Sequence, residues 1–107
     1  MANGVLARGM TQAGQYADMY TVPADVVFST ASINCCNMGT DDATVRIAIA
    51  NSAIPGGADH IDFNSVIPAN GGILERTCIV CSPSEHILVF CDSSDVAVRI
   101  YGLEQRS

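Results

Sequence analysis

Five cysteines are the residues whose type and spacing could do chemistry, and they fall at 35, 36, 78, 81 and 91. Cys78-Ile79-Val80-Cys81 has the CxxC spacing of a zinc ligand pair. Its natural partner would be Cys35-Cys36, which is not a usual ligand spacing. A redox CxxC belongs ahead of a helix in a βαβ setting, and this chain offers none. The third reading treats buried thiols as small apolar groups. Adjacent cysteines in a strand point to opposite faces and are poorly placed to bond each other. An odd total leaves at least one thiol free or paired with another chain. Elsewhere, Asp59-His60-Ile61-Asp62 sets a histidine between carboxylates, and His86 follows Ser84-Glu85. The first reads as a solvated loop-to-strand corner and His86 as a surface residue at a turn. Asp41-Asp42 and the pair Asp92/Asp95 offer oxygen ligands, but an Asp-rich turn is usually only a turn. No catalytic constellation emerges, so the expectation is a protein that is not an enzyme, with no cofactor and no metal site.

The elements that must position these residues are short. From Tyr20 onward the chain breaks into runs rich in Val, Ile, Thr and aromatics. They are Asp18–Val22, Val26–Asn37, Ala43–Asn51, His60–Ile67, Ile73–Cys81, His86–Cys91 and Asp95–Leu103. Turn chemistry such as Pro68-Ala69-Asn70-Gly71 separates them. Strands at this spacing predict an all-β fold, an antiparallel β-sandwich of about seven or eight short strands. Residues 1–17, rich in Gly, Ala and Gln without a sustained period, read as an extended N-terminal arm, leaving 18–107 as the sandwich domain.

Alternation orients the strands. Cys35 shares parity with Ile33, Cys81 with Ile79, and Cys91 with Ile87 and Val89, which makes these three cysteines core residues. Cys36 falls with Ser32 and Asn34, and Cys78 with Arg76, so both are expected to face outward. Leu88 and Phe90 also fall on an outward face, where an apolar pair suggests a contact surface. Val5, Leu6 and Met10 give the arm apolar anchors for docking on a neighbouring chain.

Composition narrows the partners. Of 107 residues 49% are hydrophobic and only 15% charged, against about 25% in ordinary domains, which implies surface hidden against other chains. The net charge is −6 and every basic residue is an arginine, scattered without a stripe, so nucleic-acid binding is not expected. No apolar span of membrane length and no leader-like apolar region opens the chain, which points to synthesis in the cytoplasm and to no membrane partner.

Met19-Tyr20-Thr21-Val22-Pro23-Ala24 resembles the aromatic-Thr-Val-Pro-Ala opening of small β-sandwich structural proteins of tailed bacteriophages. The similarity continues in order through Cys36-Asn37-Met38-Gly39, Thr44–Ala48, Pro68–Gly71, Val98–Gly102 and Glu104. It implies a virion component on the outer surface of the particle, made in the host cytoplasm. The role expected is a minor capsid or decoration protein stabilising the shell through subunit contacts. Neck, collar or tail accessory roles are the alternative, and a receptor- or carbohydrate-binding module a more distant one. Expected partners are the major capsid protein or other virion proteins and further copies of the chain, a trimer being one candidate. In that setting Cys36 and Cys78 become candidates for interchain disulfides, formed once lysis exposes the particle to oxidant.

Overall fold

Alternating apolar side chains, interrupted by Gly, Pro, Asn and Asp, produce eight strands among the described residues. The computed structural model describes residues 3–106, with side chains described for 4–105. The strands are β1 (Asn3–Met10), β2 (Gln15–Thr21), β3 (Val26–Asn37), β4 (Ala43–Ala50), β5 (His60–Ile67), β6 (Gly72–Cys81), β7 (His86–Cys91) and β8 (Val96–Arg106). A short 3-10 turn at Gly57–Asp59 leads into β5.

The pairing β1·β8, β2·β7, β3·β6 and β4·β5 makes one long antiparallel ribbon. That ribbon is rolled, so that β3 also pairs with β8 and β4 with β7. The result is two four-stranded antiparallel sheets, a first of order β1-β8-β3-β6 and a second of order β2-β7-β4-β5. The fold is a β-sandwich, and its strand order is that of a double-sheet jelly roll. Inward residues of both sheets, including Ile33, Val45, Ile47, Ile87, Val89 and Ile100, are fully buried and form one core. The Tyr20 hydroxyl donates across the core to the buried Glu104 carboxylate.

The expected N-terminal arm is corrected here. Asn3–Met10 is the edge strand of the first sheet, and Gln15–Thr21 runs through the boundary placed at 17. Residues 1 and 2 of that arm lie outside the described residues. Leu6 and Ala7 pack against the chain's own core. Deleting residues 2 to 15 would therefore remove a strand instead of freeing a tail.

The motifs that look like punctuation hold one end together. Buried Asn37 donates from Nδ2 to the carbonyls of Asp41 (2.9 Å) and Ile67 (3.0 Å), and its Oδ1 accepts from Gly39 N–H at 2.9 Å. The Pro68–Gly71 turn docks on it, with Gly71 N–H donating to the Asn37 carbonyl at 2.7 Å. Asn70 and Gly71 both have positive φ, the conformation that Asn and Gly tolerate best.

β-Bulges set which way several side chains face. In β6, Thr77 and Cys78 together oppose Ser32, and Cys78 sits at φ 59°. Register places Arg76 opposite the inward Ile33, so Arg76 faces the inside of the sandwich, correcting its expected outward position. There its guanidinium closes the open side between β6 and β5. It meets the nearly buried Asp62 at two points, Nε to Oδ2 at 2.7 Å and the second nitrogen to Oδ1 at 2.8 Å. Ser65 Oγ donates to the same carboxylate at 2.9 Å. Arg76→Ala should lower unfolding stability by about 2 kcal/mol, read from the urea midpoint. The guanidinium is itself 43% exposed, so water screens the pair below the cost of breaking a fully buried one. An unchanged midpoint would show that the clasp contributes nothing.

Candidate interaction surface

Directly opposed residues of an antiparallel pair share a face, so the register of β1, β8, β3 and β6 maps the outer surface of the first sheet row by row. One row runs Met10, Ala97, Cys36, Ile73. The next runs Arg8, Arg99, Asn34, Glu75, and a third Val5, Tyr101, Ser32. Val5, Met10, Ile73, Val80 and Leu103 are exposed, the last three by more than 60%. Polar ties hold the middle. Tyr101 Oη donates to Glu75 Oε2 at 2.7 Å, and Asn34 Nδ2 donates to the same oxygen at 3.4 Å. The hydrogen bond to Glu75 pushes the Tyr101 hydroxyl above its ordinary range.

Cys36 is half-buried on the floor of this face, and Cys78 is exposed on edge strand β6. Cys78 owes its exposure to the bulge and not to parity with Arg76. In unbroken register it would lie opposite Ala31, on the inner face. Cys35, Cys81 and Cys91 are fully buried. Burial pushes the Cys35 thiol up to about 12 and Cys81 to about 11, and raises Cys91 as well, so these three are neutral hydrophobes at neutral pH. All five thiols are free. Among the described residues no group of three or more ligating side chains gathers as a metal site.

The outer face of the second sheet departs from expectation. Leu88 points outward but is fully buried, packed with Ala48 and Ala50 under Tyr16. Phe90 is half-buried, with the Tyr16 ring 5.2 Å away and the Arg46 guanidinium 4.9 Å from its centroid. Neither is the bare apolar contact that alternation suggested, because edge strand β2 supplies a cover. Arg46 also stacks on Phe63 at 4.2 Å, and its Nε donates to Oδ1 of Asn64 at 2.8 Å. His60 is no solvated corner. Its Nδ1 lies 3.1 Å from the Gly56 carbonyl, which can only accept, and its Nε2 is hydrogen-bonded to the Tyr16 hydroxyl at 2.7 Å. Phe63 is mostly exposed, at 58%, whereas Tyr16, Arg46, His60 and Phe90 are half-buried. The cluster joins β2, β4, β5 and β7, and no local pattern in the sequence announces it.

The Asp-rich turns cap backbone. Asp42 Oδ1 accepts from Ala69 N–H and Asp92 Oδ1 from Thr44 N–H, each at 2.9 Å.

Among the described residues these features define the class of an eight-stranded jelly-roll sandwich of two antiparallel sheets, with one outer face rich in exposed apolar side chains. No family model, no curated protein and no solved structure matches the chain.

Proposed function

We propose that the chain is a structural component of a bacteriophage particle, a minor capsid or decoration protein that stabilises the shell by subunit contacts and interchain disulfides. The observation that carries this reading is the first sheet's outer face, where apolar side chains lie bare around a thiol in a sandwich of jelly-roll order. Jelly rolls serve as capsid domains, and also as lectins and cupins, which supports a capsid-type role for this fold. The ordered motif resemblance supports the phage setting. Cys36 and Cys78 stay reduced during cytoplasmic assembly; after lysis at least one of them forms a disulfide with a thiol of a neighbouring chain, the two protons and two electrons released being taken up by dissolved dioxygen. A neck, collar or tail accessory would use the same surfaces. The test is the double variant Cys36→Ser/Cys78→Ser. The isolated domain should keep its stability within about 1 kcal/mol, as for other surface changes, while particles built with it lose integrity at lower temperature. Particles as heat-resistant as wild type would contradict the role.

A carbohydrate-binding module is the second reading, favoured by exposed Phe63 beside Arg46 on the second sheet. An oligosaccharide whose binding is abolished by Phe63→Ala would establish it in place of the virion reading.

A further inference from the structure

We propose that the groove on the first sheet's outer face receives the acidic end of a second copy of this chain. Arg8 and Arg99 are cross-strand partners, two like charges side by side, an arrangement that costs stability unless something else occupies the space between them. Among the described residues neither has a carboxylate in ion-pair range, whereas Arg76 is held by Asp62 and Arg46 lies between two aromatic rings. The pair flanks a groove of about 490 Å³ floored by Cys36 and Ala97 and walled by Met10. Paired guanidiniums over an apolar floor fit carboxylates carried on a loop.

The chain supplies such a loop end. Asp41, Asp42, Asp92 and Asp95 converge where the β3–β4 and β7–β8 turns meet, around a depression of about 370 Å³. Asp42 and Asp92 each commit one oxygen to a backbone N–H, while the Asp41 and Asp95 carboxylates make no hydrogen bond among the described residues. A two-fold contact of this face with itself would gather four guanidiniums. Seating the acidic end in the groove of the next copy pairs opposite charges instead. That contact joins two different patches, so it is heterologous and closes into a ring where the rotation permits. The inference deepens the assembly reading above by naming the surface that subunits share.

The full chain, kept reduced so that no disulfide contributes, is followed by sedimentation velocity in low and in high salt. Wild type should associate in low salt and dissociate in high salt. Arg8→Glu/Arg99→Glu should remain monomeric, and adding Asp41→Arg/Asp95→Arg to that variant should restore association, because both sides are then reversed. Cys36 should react with a neutral alkylating probe at least tenfold more slowly in associated wild type than in the monomeric variant. Circular dichroism confirms that each variant is folded. A wild type that stays monomeric, or an Arg8→Glu/Arg99→Glu variant that associates like wild type, overturns the proposal. So does a folded four-site variant that stays monomeric. A monomeric wild type would still leave the disulfide test on whole particles to be decided by its own outcome.

Discussion

Gly102→Ala should abolish the native first sheet, with a loss of about 4 kcal/mol or more, among the largest effects a single substitution produces. Gly102 lies on β8 between Gly4 of β1 and Ala31 of β3, in the middle of the sheet. A Cβ there would sit 1.9 Å from the Thr30 carbonyl oxygen and 2.9 Å from its carbon. Both are backbone atoms of a strand paired on both sides, so no side chain can swing away to relieve the clash. Gly57→Ala is the control, because nothing lies within 4 Å of its added carbon, and it should stay within about 0.5 kcal/mol of wild type. Urea denaturation followed by circular dichroism reads both. A Gly102→Ala protein with the wild-type midpoint would mean that β8 and β3 are not packed as described.

The second large effect is alkaline. A free thiol ionises near 9.0, whereas the folded chain holds the Cys35 proton to about 12 and the Cys81 proton to about 11, burial being the main cause in both. Between those values the unfolded state binds fewer protons than the folded one, so stability falls as pH rises. The thiol contribution is fully present below pH 9 and is lost through the interval up to about 12. Three pH units for Cys35 correspond to on the order of 4 kcal/mol, a large share of the ~5–15 kcal/mol that a domain has in total. Cys35→Ala should start less stable and then lose less across the same interval, giving a shallower curve of stability against pH. Parallel curves for wild type and Cys35→Ala would show that this thiol is not held neutral by the core.

The sheet architecture was largely legible because its signals are local. Val26–Asn37, His60–Ile67 and His86–Cys91 appear with the bounds that alternation and turn residues suggest. β1 was not legible. Two glycines, Gly4 and Gly9, and a bulge at Leu6 break its period of two, and its partner β8 lies at the far end of the sequence. Bulges also explain the error at Arg76. Counting by twos carries Arg76 and Cys78 to one face, but the extra residue at Thr77-Cys78 turns Arg76 inward and Cys78 out. The exposure of Cys78 agrees with the parity reading while its cause does not. Leu88 shows the converse. Its outward direction follows from alternation, and its burial depends on Tyr16 of β2, far away in the sequence, which no nearby residue reports. The stacking of Arg46 on Phe63 and Phe90 and the Tyr16–His60 hydrogen bond are tertiary in the same sense.

In the function proposed above, the chain would be a covalently reinforced subunit of a particle, with its outward thiols as the points of linkage. Mass mapping of peptides from mature, oxidised particles, digested without reductant, tests it most directly. The account predicts that Cys36 or Cys78 is recovered in a disulfide with a peptide of another polypeptide, while Cys35, Cys81 and Cys91 are recovered as free thiols. Recovery of Cys36 and Cys78 both as free thiols from such particles would contradict it.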